Sequence, residues 1–259
     1  MCIYYTIKFF FSFVVFSGYF PDNCYFDINP HTKYLKERSV HSQFTIDCVI
    51  LSFDNGKLQV LLTERNEYPY KDWWSIPGYF VDKYEEMEDA VYRICQEMTG
   101  LKNIYMDQLA AFAGVKRHPE GRILTVAYLA YVQFDSIKNK IKPVSTYMKQ
   151  AKWFAADDLP DLAFDHLEII TKSLDRLKNT ISYSASLYEL LPEKFTLTQL
   201  QQLHEAILGK TLDKRNFRKK INTLGYLKPL EEYQKGVSYR AAKLYKLDRR
   251  KFLKVIGQG

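Results

Sequence analysis

Ala90, Val91, Ile94 and Met98 recur at helical spacing between Glu86 and Thr99, and Gly100 follows as a stop. Strand-like segments surround this helix. Phe44 to Phe53 and Leu58 to Leu62 flank Asp54-Asn55-Gly56, where Asn-Gly supplies the positive φ values of a tight hairpin. The returning strand ends at Thr63-Glu64-Arg65, and Trp73-Trp74-Ser75-Ile76-Pro77-Gly78 reads as a turn-rich loop. Residues 104–115 and 122–134 read as strands around Pro119-Glu120-Gly121, Ala151 to Phe154 as a short strand, and His166 to Lys178 as a helix. Strands with one central helix and a later one imply a mixed α/β sandwich over residues 41–180.

The chain has 259 residues, long enough for two domains, and residues 181–259 read differently from those before them. A short helix from Ser184 to Leu191 stops at Pro192. Thr198 is expected to cap a helix through Leu208, with Gln201 completing a capping box. After Gly209, Asp213 caps a helix that ends at Leu224-Gly225. Tyr226 to Leu230 and Val237 to Leu247 can pair as a hairpin around Gly236. This is the element order of a winged helix-turn-helix.

Charge is distributed unevenly. From Tyr183 onward there are 16 Lys+Arg against 7 Asp+Glu, an excess of +9, whereas the whole chain carries +7. A positive field on one domain points to a polyanion, either nucleic acid or an anionic membrane. Cys2, Cys24, Cys48 and Cys95 show no CxxC pair or metal-ligand spacing; they read as reduced thiols of a cytoplasmic protein, with no metal and no cofactor. Residues 1–40 read as an N-terminal extension and linker. Within them Phe9 to Phe20 is uncharged, too short for an ordinary membrane span. A membrane anchor there is the alternative, which cell fractionation would separate.

The helix from Asp213 carries the basic residues. Phe217, Ile221 and Leu224 fall within one arc of about 60° and form the stripe to be buried. Arg215, Arg218, Lys219 and Asn222 occupy the opposite face, while Lys214 and Lys220 flank the stripe. Arg can donate two hydrogen bonds to guanine in the major groove, and Asn can pair with adenine. A solvated basic face is the plainer reading of such a helix. The preceding helix and turn, and Lys235, Ser238, Tyr239, Arg240 and Lys243 in or beside the hairpin, favour DNA.

Tyr79 to Leu101 resembles the box of the Nudix hydrolases, G-x5-E-x7-R-E-U-x-E-E-x-G-U with U apolar. Glu85, Arg93, Glu97, Gly100 and Leu101 match, and Trp74-Ser75-Ile76-Pro77-Gly78 is similar to the family's lead-in. Tyr79 stands in place of Gly, and Ile94 and Met98 in place of two Glu. In the family those Glu bind the divalent cations that activate water, and Ile and Met offer no oxygen ligand. The resemblance therefore implies a Nudix-type α/β/α sandwich whose catalytic set is incomplete. Arg93 with Glu97, four residues apart, serves equally as a helix-stabilising pair.

Both domains together resemble the Nudix-related transcriptional regulators of NAD and arabinose metabolism. Leu162-Ala163-Phe164-Asp165-His166, Phe195 to Leu200, and Ile207-Leu208-Gly209 leading into Lys214 to Lys220 support this over roughly residues 41–252. The resemblance implies a homodimer that binds palindromic operator DNA and senses a small molecule. The implied ligand residues are Arg65, Trp74, Glu85, Arg93, Glu97, Arg117, Asp165 and His166. Each also has a plainer role: Trp74 in the core, Arg117 as a loop cation, His166 as a helix cap. Thr198 and Asn216 join Lys214, Arg215, Arg218, Lys219, Asn222, Ser238, Tyr239 and Arg240 as implied DNA contacts. The effector could be a sugar such as arabinose, or ADP-ribose or another nucleotide sugar. The rival is an active hydrolase of a nucleoside-diphosphate derivative such as ADP-ribose.

Overall fold

The computed structural model describes residues 43–236 and 241–256, so residues 1–40, with Phe9 to Phe20, lie outside the described residues. The long strands β1 (Phe44–Asp54) and β2 (Lys57–Arg65) form the expected hairpin, with Asn55 and Gly56 both at positive φ. Two short strands follow, β3 (Trp74–Ser75) and β4 (Gly78–Phe80), then α1 (Met87–Thr99). β5 (Asp107–Phe112), β6 (Leu124–Tyr131), the short helix α2 (Phe134–Ile137) and β7 (Met148–Ala155) lead to α3 (His166–Thr180). The sheet runs β3-β2-β1-β6-β5, with β4 beside β1 and β7 beside β2; β1 and β6 are parallel.

β1 is covered on both faces, which explains its nearly unbroken apolar run. Ile46, Cys48 and Ile50 pack with Ala90, Val91, Ile94 and Met98 of α1. Val49 and Leu51 pack with Ile169, Ile170 and Leu177 of α3. Helix–sheet–helix layering is thus present, with the Nudix-type sheet between α1 and α3. Gly100 ends α1 in the left-handed region, where a Cβ would overlap the carbonyl oxygen of Lys142.

A 3-10 turn (Ala185–Leu190) stands where the short helix was expected. β8 (Phe195–Thr196), α4 (Leu197–Leu208), α5 (Lys214–Leu224), β9 (Leu227–Tyr233) and β10 (Lys243–Leu247) complete a winged helix, with a three-stranded sheet ordered β8-β10-β9. α6 (Arg249–Ile256) follows and was not expected from the sequence. The cap of α4 corrects the sequence reading. Thr196, not Thr198, accepts from the Gln199 backbone N–H at 3.1 Å, and Gln199 reaches back to the Thr196 N–H at 2.8 Å. Gln201 instead donates to Glu205 and to the Leu212 carbonyl. The S/T-x-x-Q spacing fits both pairs; burial of Phe195 and Leu197 decides for the earlier one. The Asp213 cap is as expected, accepting from the Asn216 N–H at 2.8 Å.

Among the described residues the winged helix shares its core with the sheet. Leu187, Leu190, Phe195, Leu200, Leu203, Phe217, Ile221 and Phe252 belong to the same apolar cluster as Val49, Leu62 and Ile170.

Candidate functional site

A cavity of about 160 Å³ opens on the α3 side of the sheet. Asp47 lies at its floor, with the same strand parity as Val49 and Leu51. Arg117 donates to both Asp165 oxygens at 2.8 and 2.9 Å, and to Asp47 Oδ2 at 3.3 Å. His166 Nδ1 accepts from the Ile76 N–H at 3.1 Å, so the neutral ring carries its proton on Nε2, which faces Asp47 Oδ1 at 3.6 Å. Burial pushes His166 down to about 3 and keeps it uncharged. Burial likewise raises Asp47 to about 6, against the opposing pull of Arg117. Asp165 begins α3 without capping it through its side chain, because the carboxylate is turned to Arg117.

Gly78 is required by close approach: a Cβ there would overlap Asp47 Oδ1. Arg65, 8% exposed, donates to the Pro69 carbonyl at 2.9 Å and lies 4.9 Å over the Phe164 ring. Among the described residues it forms no ion pair within 4 Å. Phe164, at φ 55, also stacks on His118 at 4.9 Å. Tyr68, Tyr79 and Phe80 complete an aromatic wall, with Tyr79 stacked on Tyr147 at 4.5 Å.

Arg65, Arg117 and His166 line this cavity, and Asp165 supports Arg117 from behind. The other four expected ligand residues lie elsewhere. Glu85 and Glu97 both engage Arg93, at 2.7 Å and 3.4 Å, and Arg93 also donates to the Phe80 carbonyl at 3.1 Å. The Arg93 guanidinium holds Glu85 below the usual carboxylate range. This trio ties α1 to β4. Trp74 packs edge-on to Phe154 at 4.7 Å, and its carbonyl accepts from Ala163. Asp47 was missed by the sequence reading, although a lone carboxylate inside an apolar strand was a signal for it.

The residues present do not fit the family's divalent cations. Ile94 and Met98 are fully buried against the sheet, and Arg93 occupies the remaining box glutamates. Among the described residues no three His, Cys, Asp or Glu side chains are grouped to hold a metal.

The second surface is α5. Phe217 and Ile221 are buried and Leu224 half-buried, with Phe217 edge-on to His204 of α4 at 5.2 Å. Lys214, Arg215, Asn216, Arg218, Lys219, Lys220 and Asn222 are exposed, and none of these five cations forms an ion pair among the described residues. Thr198 is exposed in the first turn of α4. Ser238, Tyr239 and Arg240 lie outside the described residues. Lys243 is paired with Glu231 at 2.9 Å, so the hairpin is less cationic than its lysines suggest.

Residues 42–173 match the NUDIX domain family, and residues 187–247 match the NrtR DNA-binding winged helix domain. The ADPR responsive transcriptional repressor NtrR of Acinetobacter baylyi is 34% identical over 218 residues, covering 83% of this chain and 85% of that protein. The structure of Shewanella oneidensis NrtR complexed with a 27mer DNA aligns with TM-score 0.70 and 31% identity, over 82% of this chain and 96% of that one. An ADP-ribose pyrophosphatase of Methanocaldococcus jannaschii is 32% identical over 153 residues, 59% of this chain and 82% of that protein. With the cavity, the exposed basic helix and the similarity across both domains, the chain belongs to the NrtR family of Nudix-related transcriptional regulators.

Proposed function

We propose that this protein is an ADP-ribose-responsive repressor of NAD-metabolism genes. It binds a palindromic operator as a homodimer, with an effector pocket at Arg65, Arg117 and His166 and a DNA reader at α5. The observation that carries the effector class is Arg65, a buried cation beside an aromatic wall with no carboxylate in salt-bridge range among the described residues. A pyrophosphate with a stackable base satisfies such a site, and a neutral sugar such as arabinose does not. The A. baylyi relative is named as ADP-ribose responsive, which supports the same choice. Hydrolysis of ADP-ribose is the second reading, favoured by the pyrophosphatase relative and opposed by the buried Ile94 and Met98.

The reader is tested by anisotropy on operator DNA at several salt concentrations. Arg215→Ala and Arg218→Ala are each expected to cost about 1–3 kcal/mol and to relax preference at one base position. Lys214→Ala is expected to weaken binding to all sequences and flatten the salt dependence. All three residues are exposed, so circular dichroism should be unchanged. Wild-type affinity in both Arg variants would exclude α5 as the reader.

One short helix per chain is a small reader for tight operator binding, and two-fold protein symmetry suits a two-fold DNA site. Sedimentation of the full chain at micromolar concentration is expected to give a dimer; a monomer at that concentration, with or without operator, would overturn this part.

A further inference from the structure

We propose that Asp47 takes up a proton when the anionic effector binds, so that the cavity captures its ligand together with one proton. The inference rests on the anionic-effector reading above. It begins from a charge count at the cavity floor. Arg65 and Arg117 are faced by Asp47, Asp165, Glu67 and Glu120, so carboxylates outnumber the cations around the cavity, and His166 is neutral. A pyrophosphate brought to the arginines adds negative charge to a site with no cation to spare, beside a carboxylate that is 5% exposed.

The geometry leaves Asp47 little other escape. Its Oδ1 abuts the β4 backbone at Gly78, Oδ2 is held by Arg117, and β1 is buried on both faces. The groups that face it are few. Arg65 comes from β2, Thr125 from β6, Arg117, His118 and Glu120 from the loop between β5 and β6, and Asp165 and His166 from the start of α3. Glu67 lines the cavity from the loop after β2. Asp165 is the neighbouring carboxylate; it is half-buried, and both its oxygens accept from Arg117 at under 3 Å. Asp47 has one longer bond to the same guanidinium, the Thr125 hydroxyl beside it, and a neutral imidazole at 3.6 Å. Burial already brings it to about 6, and a nearby anion raises it further. The sign follows: the bound state holds more protons than the free state above that value, so affinity rises as pH falls.

ADP-ribose suits the test because each of its phosphates carries a single charge throughout neutral pH, so any proton taken up belongs to the protein. The full-length protein is titrated with ADP-ribose by calorimetry near pH 7, in two buffers of different ionisation enthalpy. Close to one proton should be absorbed, and the affinity should rise toward about tenfold per pH unit between pH 8 and 6.5. Asp47→Asn should abolish both the uptake and the pH dependence. A second measurement needs no variant: the infrared difference spectrum of the wild type should gain a protonated-carboxyl band on binding. Binding without proton uptake, or uptake that persists in Asp47→Asn, overturns the inference and leaves the effector reading intact. Absence of ADP-ribose binding overturns the effector reading itself, and this inference with it.

Discussion

Ile94→Glu with Met98→Glu restores two glutamates to the Nudix box and is expected to unfold the protein rather than restore hydrolysis. Both side chains are completely buried, on the α1 stripe that packs against Ile46, Cys48 and Ile50. Among the described residues the only cation bonded to box glutamates is Arg93, which already holds Glu85 and Glu97. An uncompensated buried charge costs about 3–5 kcal/mol, and two of them approach the 5–15 kcal/mol stability of a whole domain. Thermal melting should show the loss, and no Mg²⁺-dependent release of nucleoside monophosphate from ADP-ribose should appear. A double variant that melts like the wild type and turns over at about 1 per second or more would show that the box needs only its glutamates.

Acid is expected to destabilise the fold well before ordinary carboxylates titrate. His166 is pushed by burial from 6.5 down to about 3, and His204 to about 4. Both are neutral in the folded state, whereas the unfolded chain binds their protons below about 6.5. Their contribution is therefore complete above that pH and is lost as pH falls toward 3. His166 alone accounts for on the order of 5 kcal/mol at the bottom of this window, at about 1.4 kcal/mol per pH unit. Asp47 acts in the opposite sense between 3.8 and about 6, since its raised value favours the protonated folded state as pH falls. One carboxyl offsets only part of two histidines, so the melting temperature should fall from pH 7 to pH 4. His204 Nε2 is buried with no hydrogen-bond partner among the described residues, and the ring lies edge-on to Phe217. His204→Phe should therefore reduce the loss, by an amount that grows as pH falls from about 6.5 to about 4. A flat melting profile across this range would refute the assignment of both rings as buried and neutral.

Local chemistry made much of the fold legible. Asn55-Gly56 announced the β1–β2 hairpin, and Gly100 and Gly225 announced the ends of α1 and α5. β3 and β4 were hidden because two- and three-residue strands have no period; they exist through pairing with β2 and β1. α6 was hidden behind a run of charges, Asp248 to Lys251, and among its described side chains Phe252 alone is deeply buried. The site was read less well, for a physical reason. Motif spacing identifies Glu85, Arg93 and Glu97, but Arg93 satisfies both carboxylates locally and draws them from the cavity. Asp47, Gly78, Arg117 and Phe164 come together around one cavity only through tertiary folding, and no local spacing encodes that meeting.

The apolar cluster that runs from Val49 through Ile170 and Leu187 to Phe217 bears on how such proteins can be recombined. A reader exchanged between relatives by cutting after residue 180 would separate Ile169, Ile170 and Leu177 from the α4 residues Leu200 and Leu203 that share their cluster. Each half would then present a freshly cut apolar face matched to a different partner. Moving α3 along with the winged helix keeps that contact but strips α3 from Val49 and Leu51 of β1 and parts Asp165 from Arg117. No cut between the halves spares the packing, so DNA preference and effector response would be inherited as one piece.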